Sequence, residues 1–147
     1  MIVVVVLFGS LLLFRVAGAL GVTALASWVA ATRWALAAMF LFTGIAHFTR
    51  ARHGMARMVP RVCGNAMAMV YCTGVCEIAC AIGILIPRTR AAAGVCVILL
   101  LVAMFPANVK AAREKLHVAG RPATPLVPRT AMQIVFIWLV WWSTLAG

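Results

Sequence analysis

Apolar residues occupy this chain in long blocks that shorter polar segments separate. Five blocks, at roughly residues 2–21, 29–49, 66–86, 91–109 and 130–146, approach the length of about 20 residues that a helix needs to cross a bilayer. Hydrophobic residues make up 66% of the 147 positions, well above the share in soluble domains. The pattern predicts an all-α integral membrane bundle, with residues 1–147 forming a single membrane domain.

The basic residues fall mainly in alternate loops. Nine of them lie in the loops after the second and fourth blocks: Arg50, Arg52, Arg57, Arg61, Lys110, Arg113, Lys115, Arg121 and Arg129. The other side holds three, Arg33, Arg88 and Arg90. Because cytoplasmic loops carry an excess of Lys and Arg, this asymmetry predicts a cytoplasmic N-terminus and an outer C-terminus. The net charge of +11 is therefore attributed to membrane topology and not to nucleic-acid binding. We predict the lipid bilayer as a partner, and no nucleic acid.

Tryptophans support the same orientation independently. Trp28 and Trp34 fall at the outer start of the second span, and Trp141 and Trp142 at the outer end of the fifth. Such positions are typical of an interfacial aromatic belt. Abundant Ala and Arg with few Lys residues further indicate a GC-rich bacterial genome, and hence a bacterial inner membrane.

Glu77 is the one acidic residue inside an apolar block. An ionisable group at that depth is costly unless it is paired, which makes it a functional-site candidate. At about 1.5 Å per residue, Glu77 lies roughly 16 Å, and Arg15 roughly 20 Å, above the start of its own span. We therefore expect that Arg15 and Glu77 pair. The pair either lines a cavity for a proton, quinone headgroup or anion, or only orients two helices; alternatively, Arg15 extends to the interface.

A second set of polar side chains belongs near the cytoplasmic ends of the spans: His47, Tyr71, Asn108 and Gln133. We expect these four to converge below Glu77 and to form a route into the membrane. Histidine is the member that exchanges protons near neutral pH. The alternative is that His47 and Gln133 only cap helices at headgroup level.

Two further patterns have simpler structural explanations. Cys72, Cys76 and Cys80 share one helical stripe, which we assign to close packing by small residues rather than to redox or metal chemistry. No metal site is predicted. The segment Thr43-Gly44-Ile45-Ala46-His47 is similar to Thr73-Gly74-Val75-Cys76-Glu77. Such repeats occur in transporters, but chance is the better explanation of two shared identities in five positions.

The sequence places Pro106-Ala107-Asn108 at the end of the fourth span. The loop from Glu114 to Arg129 carries Gly120, Pro122, Pro125 and Pro128, so it should be irregular and exposed.

From Trp34 to its C-terminus the chain resembles the DoxX-type membrane proteins. The resemblance rests on MFLFTGIAHF, MVP, YCTGVCEIACAIGILIPRTR and LLLVAMFPANVKAA, in that order, and on the span with Gln133. It implies a four-helix core to which one N-terminal transmembrane helix is added. The family's characteristic positions correspond to Gly44, His47, Phe48, Pro60, Gly74, Glu77, Pro87, Arg90, Pro106 and Asn108.

The resemblance also implies a small membrane subunit or accessory protein of a quinone- or thiol-linked redox system. The chain shows no flavin, haem or iron–sulfur signature, so we expect no intrinsic cofactor. A quinone, or a soluble or membrane redox partner protein, would supply the electron carrier. Two alternatives are a non-catalytic membrane scaffold, which suits the basic loops, and a small transporter.

The predicted orientation can be tested with a reporter that is active only in the cytoplasm. The reporter should work when inserted near Gly120 and fail when fused after Gly147. The reverse pattern would mean four spans or an inverted bundle.

Overall fold

A computed structural model describes residues 2–118 and 120–147, and these residues are mainly helical. Six helices follow in chain order: α1 (Ile2–Ala19), α2 (Trp28–Ala46), α3 (Arg52–Met58), α4 (Ala66–Gly83), α5 (Arg90–Arg113) and α6 (Leu126–Trp141). Single helical turns occupy Thr23–Leu25, Arg61–Cys63 and Trp142–Ala146. Strands β1 (His117–Val118) and β2 (Arg121–Pro122) form a small antiparallel hairpin.

Helices α1, α2, α4 and α5, and α6 together with the turn that follows it, are long and apolar enough to cross a membrane, which gives five candidate spans within the described residues. In the bundle, α2 packs on α4, α4 on α5, and α5 on α6, and the turn after α6 contacts both α2 and α5. Helix α1 lies against α2 and buries only Leu7. The predicted all-α fold is confirmed, and the predicted spans correspond to five candidate membrane helices.

The two ends of the bundle differ in composition. At one end, the Arg33 guanidinium donates to the carbonyl oxygens of Ser143 and Gly147, so the start of α2 meets the end of the chain. We call this the Trp28 end, after the exposed tryptophan there. The other end, the α3 end, holds α3 and the hairpin. There Lys110 Nζ donates to Arg57 O (2.8 Å) and Val59 O (3.0 Å), which fastens α3 to α5.

The prediction that Pro106-Ala107-Asn108 ends its helix is wrong, because α5 continues through Pro106 to Arg113. Neighbouring side chains can satisfy backbone groups that a proline frees inside a membrane helix. Pro106 removes the helical hydrogen bond to the carbonyl of Val102, and the Gln133 amide donates to the neighbouring carbonyl, Leu101 O, at 3.1 Å.

The predicted irregular loop from Glu114 to Arg129 is also partly wrong. It contains the hairpin, whose turn residue Gly120 adopts a φ of 75°, a conformation that glycine adopts without a steric penalty. Helix α6 begins at Leu126 rather than near residue 130. Pro128 lies in its first turn, where the missing N–H would have no partner in the helix.

Helices α2 and α4 approach closely at two glycines. A Cβ atom on Gly74 would lie 2.6 Å from His47 Cβ, and one on Gly44 would lie 2.7 Å from the Ile78 side chain. Both distances are too short for real carbon atoms, so the two helices could not pack in this way with larger residues. Small residues commonly allow such close contacts between membrane helices.

Gly74→Ala should therefore destabilise the bundle, although alanine is the better helix former. We expect a loss of about 1–3 kcal/mol, because the added methyl group would push against a side chain that is already anchored. Unfolding in detergent measures this change. Gly9→Ala is the matched control, since a Cβ atom on Gly9 would meet no atom within 4 Å; equal effects of the two substitutions would contradict the packing argument.

Candidate functional site

Glu77 lies on α4 and faces α2, with only 4% of its surface exposed. Its Oε1 atom is 3.8 Å from His47 Nε2, and the side chain of Thr43 lies beside the same carboxyl group. Among the described residues, no protein group donates a hydrogen bond to the other carboxyl oxygen, Oε2. One oxygen of a buried carboxyl group thus remains able to accept or carry a proton.

His47 follows the last residue of α2 and is 8% exposed. Its Nδ1 atom is 2.8 Å from Val70 O, a carbonyl that can only accept, so Nδ1 carries a hydrogen in this arrangement. The Thr73 hydroxyl lies 3.2 Å from the same nitrogen. The other nitrogen, Nε2, faces Glu77 and is left to gain or lose a proton. The contacts of Nδ1 thus fix the ring in the orientation that presents Nε2 to the carboxyl group.

The two similar sequence segments meet at this point. Thr43 lies beside Glu77, and Thr73 lies beside His47. Each segment's glycine packs against the ionisable residue of the other, since a Cβ atom on Gly44 would lie 3.3 Å from Glu77 Cβ. The segments therefore contact each other reciprocally across the two helices. Sequence reasoning noted the repeat but did not assign Thr43 and Thr73 to the site.

Arg15 does not meet Glu77, which corrects the expected pair. Its guanidinium donates to Leu25 O (3.3 Å) and Ala26 O (2.6 Å) and lies 4.5 Å from the centre of the Trp28 ring. Helix α1 packs on α2, whereas Glu77 belongs to α4. A similar depth in the membrane was therefore not enough to predict a pair, because the two residues lie on helices that do not place them side by side. Arg15 instead reaches toward the Trp28 end.

The expected cluster of four polar residues is divided between two helix pairs. Tyr71 stacks on Phe48, with ring centres 5.6 Å apart, next to His47. Asn108 accepts a hydrogen bond from Arg129, and Gln133 bonds to Leu101 O, so both act between α5 and α6. The contacts therefore join His47 and Glu77 directly, place Tyr71 nearby, and give Asn108 and Gln133 other partners.

The geometry of the α2–α4 contact suits proton exchange. A carboxyl group and an imidazole that face each other in a low-dielectric environment interact strongly, and the proton can reside on either group. Among the described residues, no group of three or more His, Cys, Asp or Glu side chains is arranged to hold a metal ion. The chemistry that the His47–Glu77 pair offers by itself is acid–base chemistry.

Comparison with known proteins places the site inside the region that one protein family covers. No curated protein and no solved structure matches the chain. One protein family matches residues 36–144, which include His47, Glu77 and all of α4, α5 and α6. Helix α1 lies outside this region. Since the match covers well over half of the 147 residues, the chain belongs to the family described as Domain of unknown function (DUF8561).

Proposed function

We propose that this chain is a DoxX-type membrane subunit of a quinone- or thiol-linked redox system, in which the His47–Glu77 pair transfers protons. The observation that carries the proposal is the 3.8 Å contact between a buried carboxyl group and a histidine. Ionisable residues inside a membrane protein are costly and commonly mark proton relays. The order and spacing of the DoxX-like motifs supply the redox context.

Reduction of a quinone to a quinol consumes two protons as well as two electrons. Protons must therefore reach or leave the apolar part of the membrane whenever such a reaction occurs there. His47 lies at the end of α2 nearer to α3, and Glu77 lies deeper along α4. With the α3 end in the cytoplasm, as the charge distribution predicts, the pair would conduct protons between the cytoplasm and the membrane interior.

The electrons require a second component, since we propose no intrinsic cofactor for the chain. A redox partner protein, soluble or membrane-bound, would deliver them. The α3 end supports such docking because several of its arginines are exposed, including Arg50, Arg57, Arg61 and Arg113. Exposed positive charges steer the approach of acidic partners.

A proton-coupled transporter is the second candidate. It is favoured by the reciprocal contact between the segments that begin at Thr43 and Thr73. Paired repeats often meet at the ion site of transporters. In this case Glu77 would still exchange protons, but no electron carrier would be involved.

Glu77→Gln tests the proposed role directly. In a complex purified from its native membrane, we expect bound quinone and a redox activity that falls by about 100-fold or more in this variant, as for loss of a general acid–base group. Glu114→Gln is the matched control because Glu114 is the chain's other acidic residue and is exposed. That variant should retain its activity.

If the redox activity is unchanged by Glu77→Gln, Glu77 does not transfer the protons and the proposed site is wrong. A complex without quinone or redox partners, together with proton uptake that depends on Glu77 in vesicles, would favour the transporter instead.

A double-mutant cycle tests whether His47 and Glu77 act as a pair. Because the two side chains are in contact, His47→Gln and Glu77→Gln should be coupled by about 0.5–3 kcal/mol in unfolding free energy. Arg15→Leu with Glu77→Gln is the comparison, and its effects should add because the two residues have separate partners. Additive effects for His47 and Glu77 would show that their contact contributes nothing to stability.

A further inference from the structure

A groove of about 410 Å³ runs along the contact between α4 and α5 on the surface of the bundle. It is lined mostly by apolar residues, among them Ala79, Ile82 and Ile86. Two cysteines from different helices, Cys80 and Cys96, complete the lining. A groove of this composition on a membrane-spanning surface suits a flat, apolar ligand that reaches it through the lipid.

Cys80 and Cys96 lie next to each other across the α4–α5 contact. The two helices come closest where Gly83 faces Ala93, since a Cβ atom on Gly83 would lie 2.8 Å from Ala93 Cβ. Cys80 precedes Gly83 by three residues and Cys96 follows Ala93 by three. In an antiparallel helix pair these positions face each other one turn away from the contact. A disulfide needs Cα atoms about 4.4–6.8 Å apart, and a close helix contact one turn away favours such a separation.

We propose that Cys80 and Cys96 are a reactive dithiol that reduces a quinone bound in this groove and forms a disulfide. The proposal rests on the quinone-linked function proposed above, and it identifies where electrons would leave the chain. The cysteine stripe then divides into two parts. Cys80 faces Cys96 and α5, whereas Cys72 is exposed one turn from Cys76 on the same helix.

The reaction balances without another reactant. The Cys80 sulfur adds to a ring carbon of the quinone, and the Cys96 sulfur then attacks the Cys80 sulfur. The sulfur–sulfur bond forms as the sulfur–carbon bond breaks, and that electron pair passes to the ring. The two thiol protons end on the two quinone oxygens, so a dithiol and a quinone become a disulfide and a quinol.

Glu77 offers this chemistry a proton acceptor. A thiol in an apolar environment retains its proton, although the thiolate is the reactive form. Glu77 lies three residues before Cys80 on α4, so the two side chains are neighbours on the helix surface. Its Oε2 atom has no protein donor among the described residues and could accept the thiol proton as the sulfur attacks.

The test uses the full-length chain, fully reduced and reconstituted in lipid nanodiscs, with decylubiquinone as the probe. The ring of this quinone is fully substituted, so it cannot arylate the thiols irreversibly. We expect one quinone to be reduced per chain, with a protein mass lower by that of two hydrogen atoms. Peptide mapping should find Cys80 linked to Cys96.

Cys80→Ser and Cys96→Ser should each abolish quinone reduction, whereas Cys72→Ser is the matched control and should react normally. A folded protein whose thiols stay free would overturn the proposal, and so would a disulfide that joins Cys76 to Cys96. The outcome is independent of the proton-transfer test. Loss of activity on Glu77→Gln in the native complex, without any dithiol reaction, would retain the proposed function and reject this inference.

Discussion

The close approach of α2 and α4 at Gly44 and Gly74 is the contact on which the candidate site depends. With no side chains at these two positions, the helix backbones come near enough for His47 and Glu77 to meet. Neither side chain is long, so a wider separation would leave the carboxyl group among apolar neighbours. A charge in that situation is strongly unfavourable. The two glycines therefore determine whether Glu77 has a partner at all.

Arg15 and Glu77 find their partners in different ways because their side chains differ in length. Arginine has a long apolar stem that can carry its charged end toward the membrane surface. Arg15 uses that reach to contact Ala26 O and the Trp28 ring. A glutamate in the middle of α4 cannot extend so far, so its partner must be brought to it by helix packing. This is why one intramembrane charge is satisfied locally and the other requires a neighbouring helix.

Sequence alone predicted the features that depend on local composition. Apolar block length gave the five spans, and the isolation of Glu77 in an apolar block identified it as a candidate. The sequence could not predict how the helices pack side by side, because periodicity does not say which helix lies beside which. The expected contact between Arg15 and Glu77 was wrong for this reason. The continuation of α5 through Pro106 was missed because the contacts around this turn come from a distant part of the chain: Gln133, which bonds Leu101 O, is 32 residues away.

Helix α4 connects the two chemistries that the bundle could support. Glu77 faces α2, where His47 lies near the α3 end, whereas Cys80 faces α5 and the groove that is open to lipid. Protons and an apolar electron acceptor would thus approach the same helix from different directions. A water-accessible route to the groove would expose the thiols to soluble oxidants, and a lipid route to His47 would exclude protons. Separating the two approaches on neighbouring faces of one helix, a single turn apart, allows coupling between them while each stays in the environment that its chemistry needs.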